Sequence, residues 1–335
     1  MALEILSVAL LAFLTTLFLL PRFKAYLENS GVVGTDVQKA DKPWMASSGG
    51  LPVVFGFLAG VLAFVFFDGF LLFFKTDLAK IFAGTLSVVL AMLVGLLDDI
   101  HSRRRGSRRL GVHVGLRQWQ KPLLTLAAAV PLMVSKAGVT LISVPFFGNV
   151  DFGVLYPLFL VPVAVVCVTN AANMLAGMNG LEAGMGSVAL LGAGTYALIS
   201  GNLEGAAIGL SAGAALLAFL VFNFYPARIL PGDSLTYLIG AAFIATIIVG
   251  NIEKFGAIVF MPWIAEAFLK LRSGFRAESV GVLQPNGTLR SKHDKIYSLT
   301  HVGMRLGLTE KQITTSLILL ELALVLLAFR FVTTV

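Results

Sequence analysis

The sequence predicts an all-α polytopic membrane protein of about ten transmembrane helices, and three observations predict it. Hydrophobic residues make up 57% of the 335 positions and charged residues only 13%, against about 45–50% and about 25% in soluble domains. The mean hydropathy is +0.89. The apolar residues also fall in runs close to the roughly 20 residues that a helix needs to cross about 30 Å of hydrocarbon. An ordinary soluble globule, a disordered chain and a disulfide scaffold are excluded on these grounds. Residues 1–335 read as a single integral-membrane domain.

The candidate spans are 3–21, 50–67, 78–97, 122–137, 154–170, 184–200, 205–222, 234–250, 255–271 and 312–333. The first carries Glu4 where a signal peptide would carry a basic leader, so it reads as a span. The fourth is the shortest. Segment 139–153 alternates in a strand-like way around Gly148-Asn149 and predicts a small outer β-hairpin. Cys167 is the single cysteine, and within its apolar run it reads as a small buried hydrophobe.

Lys and Arg set the orientation. Of the 25 in the chain, 20 lie in loops that follow odd-numbered spans. Those loops are therefore cytoplasmic and both termini lie outside, in the cell membrane if the source is a prokaryote. Topology alone, or contact with anionic lipid, accounts for the run from Arg103 to Arg109.

Polar residues at span ends are costly in a bilayer and point to function. Here they collect on one side. Asp98 and Asp99 end span three, Asn170 and Asn173 end span five, Asp233 starts span eight, and His293 lies in the long last loop. All fall on the cytoplasmic side, where they could share one cavity. Acids without a Cys/His cluster suit a hard cation such as Mg²⁺, with Mn²⁺ as a substitute. Lys39 and Lys121 stand near them in sequence, and carboxylates, a divalent cation and lysines together suit phosphoryl transfer. Each residue also has a plain reading. Asp98-Asp99 could be a solvated helix end, and Asp233 in Pro231-Gly232-Asp233-Ser234 a helix N-cap. The stretch Asn170–Gly184 weighs toward a site, because its asparagines and glycines break an apolar span, and broken helices at membrane depth line cavities.

That stretch reads Asn170-Ala171-Ala172-Asn173-Met174-Leu175-Ala176-Gly177-Met178-Asn179-Gly180-Leu181-Glu182-Ala183-Gly184. With it, the chain resembles the polyprenyl-phosphate N-acetylhexosamine-1-phosphate transferases over nearly its whole length. Bacterial branches carry aspartates at the positions of Ala176 and Asn179, whereas this pattern is similar to the eukaryotic and archaeal branch. The resemblance implies transfer of GlcNAc-1-phosphate from UDP-GlcNAc to dolichyl or another polyprenyl phosphate. The products would be dolichyl diphosphate-GlcNAc and UMP, the first step of N-glycan lipid assembly. Implied partners are UDP-GlcNAc, the lipid phosphate and membrane lipid. A homodimer stays open, and no nucleic acid is expected.

The same resemblance implies residue roles. Asn173 and Asp233 would hold Mg²⁺, and Asp98 and Asp99 match the paired catalytic aspartates. Lys121 matches a lysine on the donor diphosphate. Asn170 would line that pocket and Asn179 would read uracil. Gly34–Lys39, with Asp36 and Lys39, is similar to the first cytoplasmic motif, and Ser48-Gly49-Gly50 to its glycine-rich end. In the last loop Arg276-Ala277-Glu278 stands where relatives carry histidine, so either Arg276 or His293 would bind substrate there. Leu230 occupies the place of an expected aromatic. Two other readings remain: a bacterial-type transferase using undecaprenyl phosphate, and a secondary transporter.

Overall fold

Hydrocarbon offers a backbone no hydrogen-bond partners, so apolar runs satisfy themselves as helices. The computed structural model describes residues 2–72, 76–104, 115–144 and 147–332, and it follows this rule. Its helices are α1 (Ala2–Asn29), α2 (Gly50–Phe67), α3 (Leu78–Arg104), α4 (Gln120–Val134), α5 (Val161–Ala172), α6 (Leu181–Ile199), α7 (Leu203–Asn223), α8 (Gly232–Gly250), α9 (Glu253–Val259), α10 (Met261–Leu271), α11 (Leu299–Arg305) and α12 (Glu310–Phe331). Each expected span overlaps helix, although 122–137 outruns α4 and α5 covers only part of 154–170. Among the described residues six helices are long and apolar enough to cross a membrane, with Gly232–Gly250 the most enclosed of them. Arg105, Arg108 and Arg109 of the basic run lie outside the described residues.

Several expectations need correction. The ninth span is two helices, because Pro262 follows the break at Phe260 and cannot donate a helical hydrogen bond. The first helix passes Pro21 and continues to Asn29. The expected hairpin exists, as β3 (Leu141–Val144) against β4 (Gly148–Asp151), but Gly148 and Asn149 belong to β4, facing Val144 and Ser143. Two further antiparallel hairpins were not foreseen: β1 (Val33–Thr35) with β2 (Trp44–Ala46), and β5 (Gly281–Leu283) with β6 (Leu289–Ser291). Cys167 is exposed rather than buried.

Helix α8 is the centre of the bundle. Nearly every residue from Ser234 to Gly250 is buried, and small residues let its neighbours approach. A Cβ on Gly95 of α3 would stand 2.3 Å from the Asp233 carbonyl oxygen, and one on Gly240 would stand 2.6 Å from the Thr169 Cα of α5. Close backbone approach of this kind is how membrane helices gain packing energy without a hydrophobic drive. It also fixes the end of α3, the end of α5 and the start of α8 beside one another.

At that end of the bundle the loops 30–49, 115–119, 173–180, 224–231 and 272–309 gather. The hydrogen bonds Gln38 Nε2 to Gly177 O, Gly281 N to Gln38 Oε1 and Ala227 N to Asn179 Oδ1 join four of them, and Leu116 N ties 115–119 to Asp98. Strand β3 and residues 200–202 and 250–255 line a cavity of about 450 Å³ at the other end.

Candidate active site

The site starts from how α8 begins. Its first-turn N–H groups need acceptors, and no side chain of its own caps it. Asp99, from α3, supplies them: Oδ1 accepts from Asp233 N at 2.8 Å and Oδ2 from Ser234 N at 3.2 Å. Gly232 makes the approach feasible. Its φ is +66°, and a Cβ there would lie 2.5 Å from Asp99 Oδ2. Asp233 is therefore not an N-cap. Asp99 is the cap, borrowed from a neighbouring helix, and it holds the backbone of Asp233.

With its backbone held, Asp233 turns its carboxylate to Lys121 at the start of α4. The Lys121 ammonium lies 2.7 Å from Asp233 Oδ2 and 2.7 Å from Asp98 Oδ2. The other oxygen of Asp98 accepts the Leu116 N–H. Asp233 Oδ2 also accepts from Asn173 Nδ2 at 3.2 Å, while Asn173 Oδ1 accepts from Thr236 Oγ1 at 2.7 Å. Tyr237 Oη donates to Asn170 Oδ1 at 3.2 Å, and Asn170 Nδ2 donates to Thr125 Oγ1 at 3.0 Å. Asp98, Lys121, Asn173 and Asp233 thus form one connected cluster, braced by Asn170. Thr236 and Tyr237 were missed, although their spacing of three and four from Asp233 puts them on its helix face.

One ammonium, that of Lys121, is shared by the carboxylates of Asp98 and Asp233. The Asp233 side chain is 27% exposed and that of Asp98 9%. Asp98 and Asp233 converge on a single cation through one oxygen each, and that pair of hard oxygens fits Mg²⁺, which uses one or two carboxylates and keeps room for water and substrate phosphate.

Asp36, Lys39 and Asn179 belong to a different cluster. Lys39 pairs with Glu310 and lies 3.2 Å from Asp36 Oδ2. Asn179 Nδ2 donates to Asp36 Oδ2 at 3.0 Å, and Asn179 Oδ1 accepts from Ala227 N at 2.8 Å. Both ends of that amide are engaged by protein. Glu310 had no place in the sequence reading, because an acid in the first turn of a helix reads as dipole compensation.

Among the described residues no hydrogen bond or ion pair links the side chains of Arg276 or His293 to either cluster. Arg276 is exposed. His293 Nε2 is buried without a partner, its ring 5.6 Å from that of His301. The histidine that meets Glu278 is His301, whose Nε2 donates to the Glu278 carbonyl at 2.9 Å and whose Nδ1 accepts from Tyr297 N at 3.2 Å. Burial holds the His301 imidazole below its usual range. Leu230 packs toward Gly34, whose Cβ would lie 2.9 Å from Leu230 Cδ1.

Comparison with known proteins finds a family match and several relatives. Residues 81–251 match the family model described as glycosyl transferase family 4. A Saccharolobus solfataricus protein is 36% identical over 299 residues, which is 89% of this chain and 85% of that one. A Sulfolobus acidocaldarius protein is 32% identical over 91% of this chain and 89% of its own length. Both are provisionally named UDP-N-acetylglucosamine–dolichyl-phosphate N-acetylglucosaminephosphotransferase. A Dictyostelium discoideum protein carries the same name without that qualification and is 27% identical over 75% of this chain and 67% of its own length.

Proposed function

The chain belongs to glycosyl transferase family 4, and on that premise we propose that it moves GlcNAc-1-phosphate from UDP-GlcNAc to dolichyl or another polyprenyl phosphate, releasing UMP. The observation that carries this reading is the cluster of Lys121 between Asp98 and Asp233, beside Asn173, at the loop-rich end of the bundle. The names of the relatives support the donor and the acceptor. The lysine and arginine asymmetry supports ten crossings with that end toward the cytoplasm.

The chain's own residues divide the work as follows. Asp233 and Asp98, with Asn173, would hold Mg²⁺. Bound there, the ion supplies neutralisation of the donor diphosphate and of the charge growing on the leaving UMP. Lys121, already within ion-pair distance of both carboxylates, is placed to act as an electrostatic clamp on the donor diphosphate. A phosphate monoester is largely dianionic near neutral pH, its second pKa being about 6, so the acceptor attacks without a strong base. Both oxygens of Asp98 are engaged, by Lys121 and by Leu116 N. That suits an organiser of the acceptor phosphate rather than a covalent nucleophile. Asp99 fixes the register of Asp233 through the backbone of α8. A membrane bundle is needed because an isoprenoid favours lipid by about 0.8 kcal/mol per CH₂.

The decisive test is UMP release by the purified protein in detergent, with UDP-GlcNAc, a short-chain polyprenyl phosphate and Mg²⁺. Product without a sealed vesicle also eliminates the transporter reading, and a panel of lipid acceptors separates the dolichyl from the undecaprenyl substrate. Absence of any sugar-phosphate transfer would refute the reading. A second expectation concerns the free site. The Lys121 ammonium stands between the two carboxylates a divalent ion would use, so Lys121→Met should bind Mn²⁺ at least about tenfold more tightly than the parent, since removing one nearby charge at an effective dielectric of 20 is worth more than 1.4 kcal/mol. Electron paramagnetic resonance of Mn²⁺ measures this without turnover.

A further inference from the structure

The loop 173–180 has no regular structure of its own, and it turns at Gly177 and Gly180, whose φ values are +106° and +80°. One end carries Asn173 into the carboxylate cluster. The other end is gripped from behind. Glu310, at the start of α12 and 4% exposed, accepts the Asn179 N–H on Oε1 at 2.8 Å and pairs through Oε2 with Lys39. Gln38 Nε2 donates to Gly177 O at 2.8 Å, and Gln38 Oε1 accepts from Gly281 N at 2.9 Å. Thr314 Oγ1, one turn along α12, donates to Asn179 O at 3.2 Å. Segments that lie 131 and 139 residues from the loop in sequence thus meet on its back.

We propose that Glu310 is a positioning residue for sugar-phosphate transfer: by holding the Asn179 N–H it fixes the far end of loop 173–180, and so sets the Asn173 amide against Asp233. This deepens the transferase reading and rests on it. A carboxylate that is almost fully buried binds a backbone N–H strongly, because the surrounding dielectric is low. The glycines give the loop freedom to shift about Asn179 once that anchor goes, within the limits set by the bonds at Gly177 and Gly180. Displacements near 1 Å at reacting groups cost about a hundredfold in rate. Lys39 and Asp36 complete the grip.

The test compares Glu310→Ala with Glu310→Gln in the full-length protein. Gln keeps an oxygen for the Asn179 N–H but loses the charge that pairs with Lys39. Glu310→Ala should lower kcat by about 10- to 100-fold, change KM for polyprenyl phosphate less than twofold, and speed hydrogen exchange of amides 174–180 while the other helices keep their protection. Glu310→Gln should restore most of the lost kcat. A kcat within twofold of the parent for Glu310→Ala would overturn the proposal, whatever the loop exchange. So would equal losses in both variants, which would point to the ion pair, or a general loss of protection, which would point to folding. If the unaltered protein transfers no sugar phosphate, the transferase reading fails, and this proposal falls with it.

Discussion

Replacing Asp233 with asparagine is expected to lower turnover about a thousandfold while leaving the bundle folded. Asparagine matches the shape of the side chain but removes its charge, and this carboxylate is shared by Lys121 at 2.7 Å and by Asn173 at 3.2 Å. Three functions fail together: the hard oxygen for a divalent ion, the counter-charge that aims Lys121, and the acceptor that orients Asn173. Loss of one preorganised electrostatic group costs about 10²–10³ in kcat, and here the loss spreads through a connected cluster. The α8 start should survive, because Asp99 bonds the backbone of residue 233 and not its side chain. The measurements are labelled UMP release and thermal unfolding in detergent. A variant retaining a tenth of the parent activity would remove Asp233 from the chemistry.

Gly232→Ala should be nearly as damaging, for a different reason. The added Cβ would sit 2.5 Å from Asp99 Oδ2, on a backbone whose φ is +66°. The left-handed conformation costs a non-glycine residue about 1–2 kcal/mol. Displacing Asp99 gives up charged hydrogen bonds worth about 1.5–3 kcal/mol each. A loss of about 4 kcal/mol or more is expected, seen as a marked fall in the melting temperature, together with a large fall in kcat as Asp233 moves. Gly31, whose φ is +69° with open space around the missing Cβ, is the control. Gly31→Ala should carry only the conformational cost and leave kcat near that of the parent.

Much of this was legible in the sequence, for an energetic reason. Polar groups near a bilayer are expensive, so Asp98, Lys121, Asn173 and Asp233 stood out from an apolar background, and the structure joins all four. What stayed hidden depended on direction rather than composition. Asp98 and Asp99 are adjacent and identical, yet one helical step sends the first to a lysine and the second to the backbone of α8. Asp36, Lys39 and Asn179 were visible as motif residues, but not as members of a clamp closed by Glu310. Cys167 was misplaced because an apolar run looks the same whether it faces protein or the bundle's outer surface. The break at Phe260 and the short hairpins lie in stretches where a proline or a few residues outweigh the periodic pattern.

The borrowed cap on α8 has a consequence for descent. Because Asp99 and Gly232 occupy a shared space in which neither tolerates a bulkier neighbour, the two positions form one heritable unit. Lineages that abandon the glycine must shorten or discard the aspartate in the same step, or supply the helix with a cap of its own, so substitutions at 99 and 232 should covary.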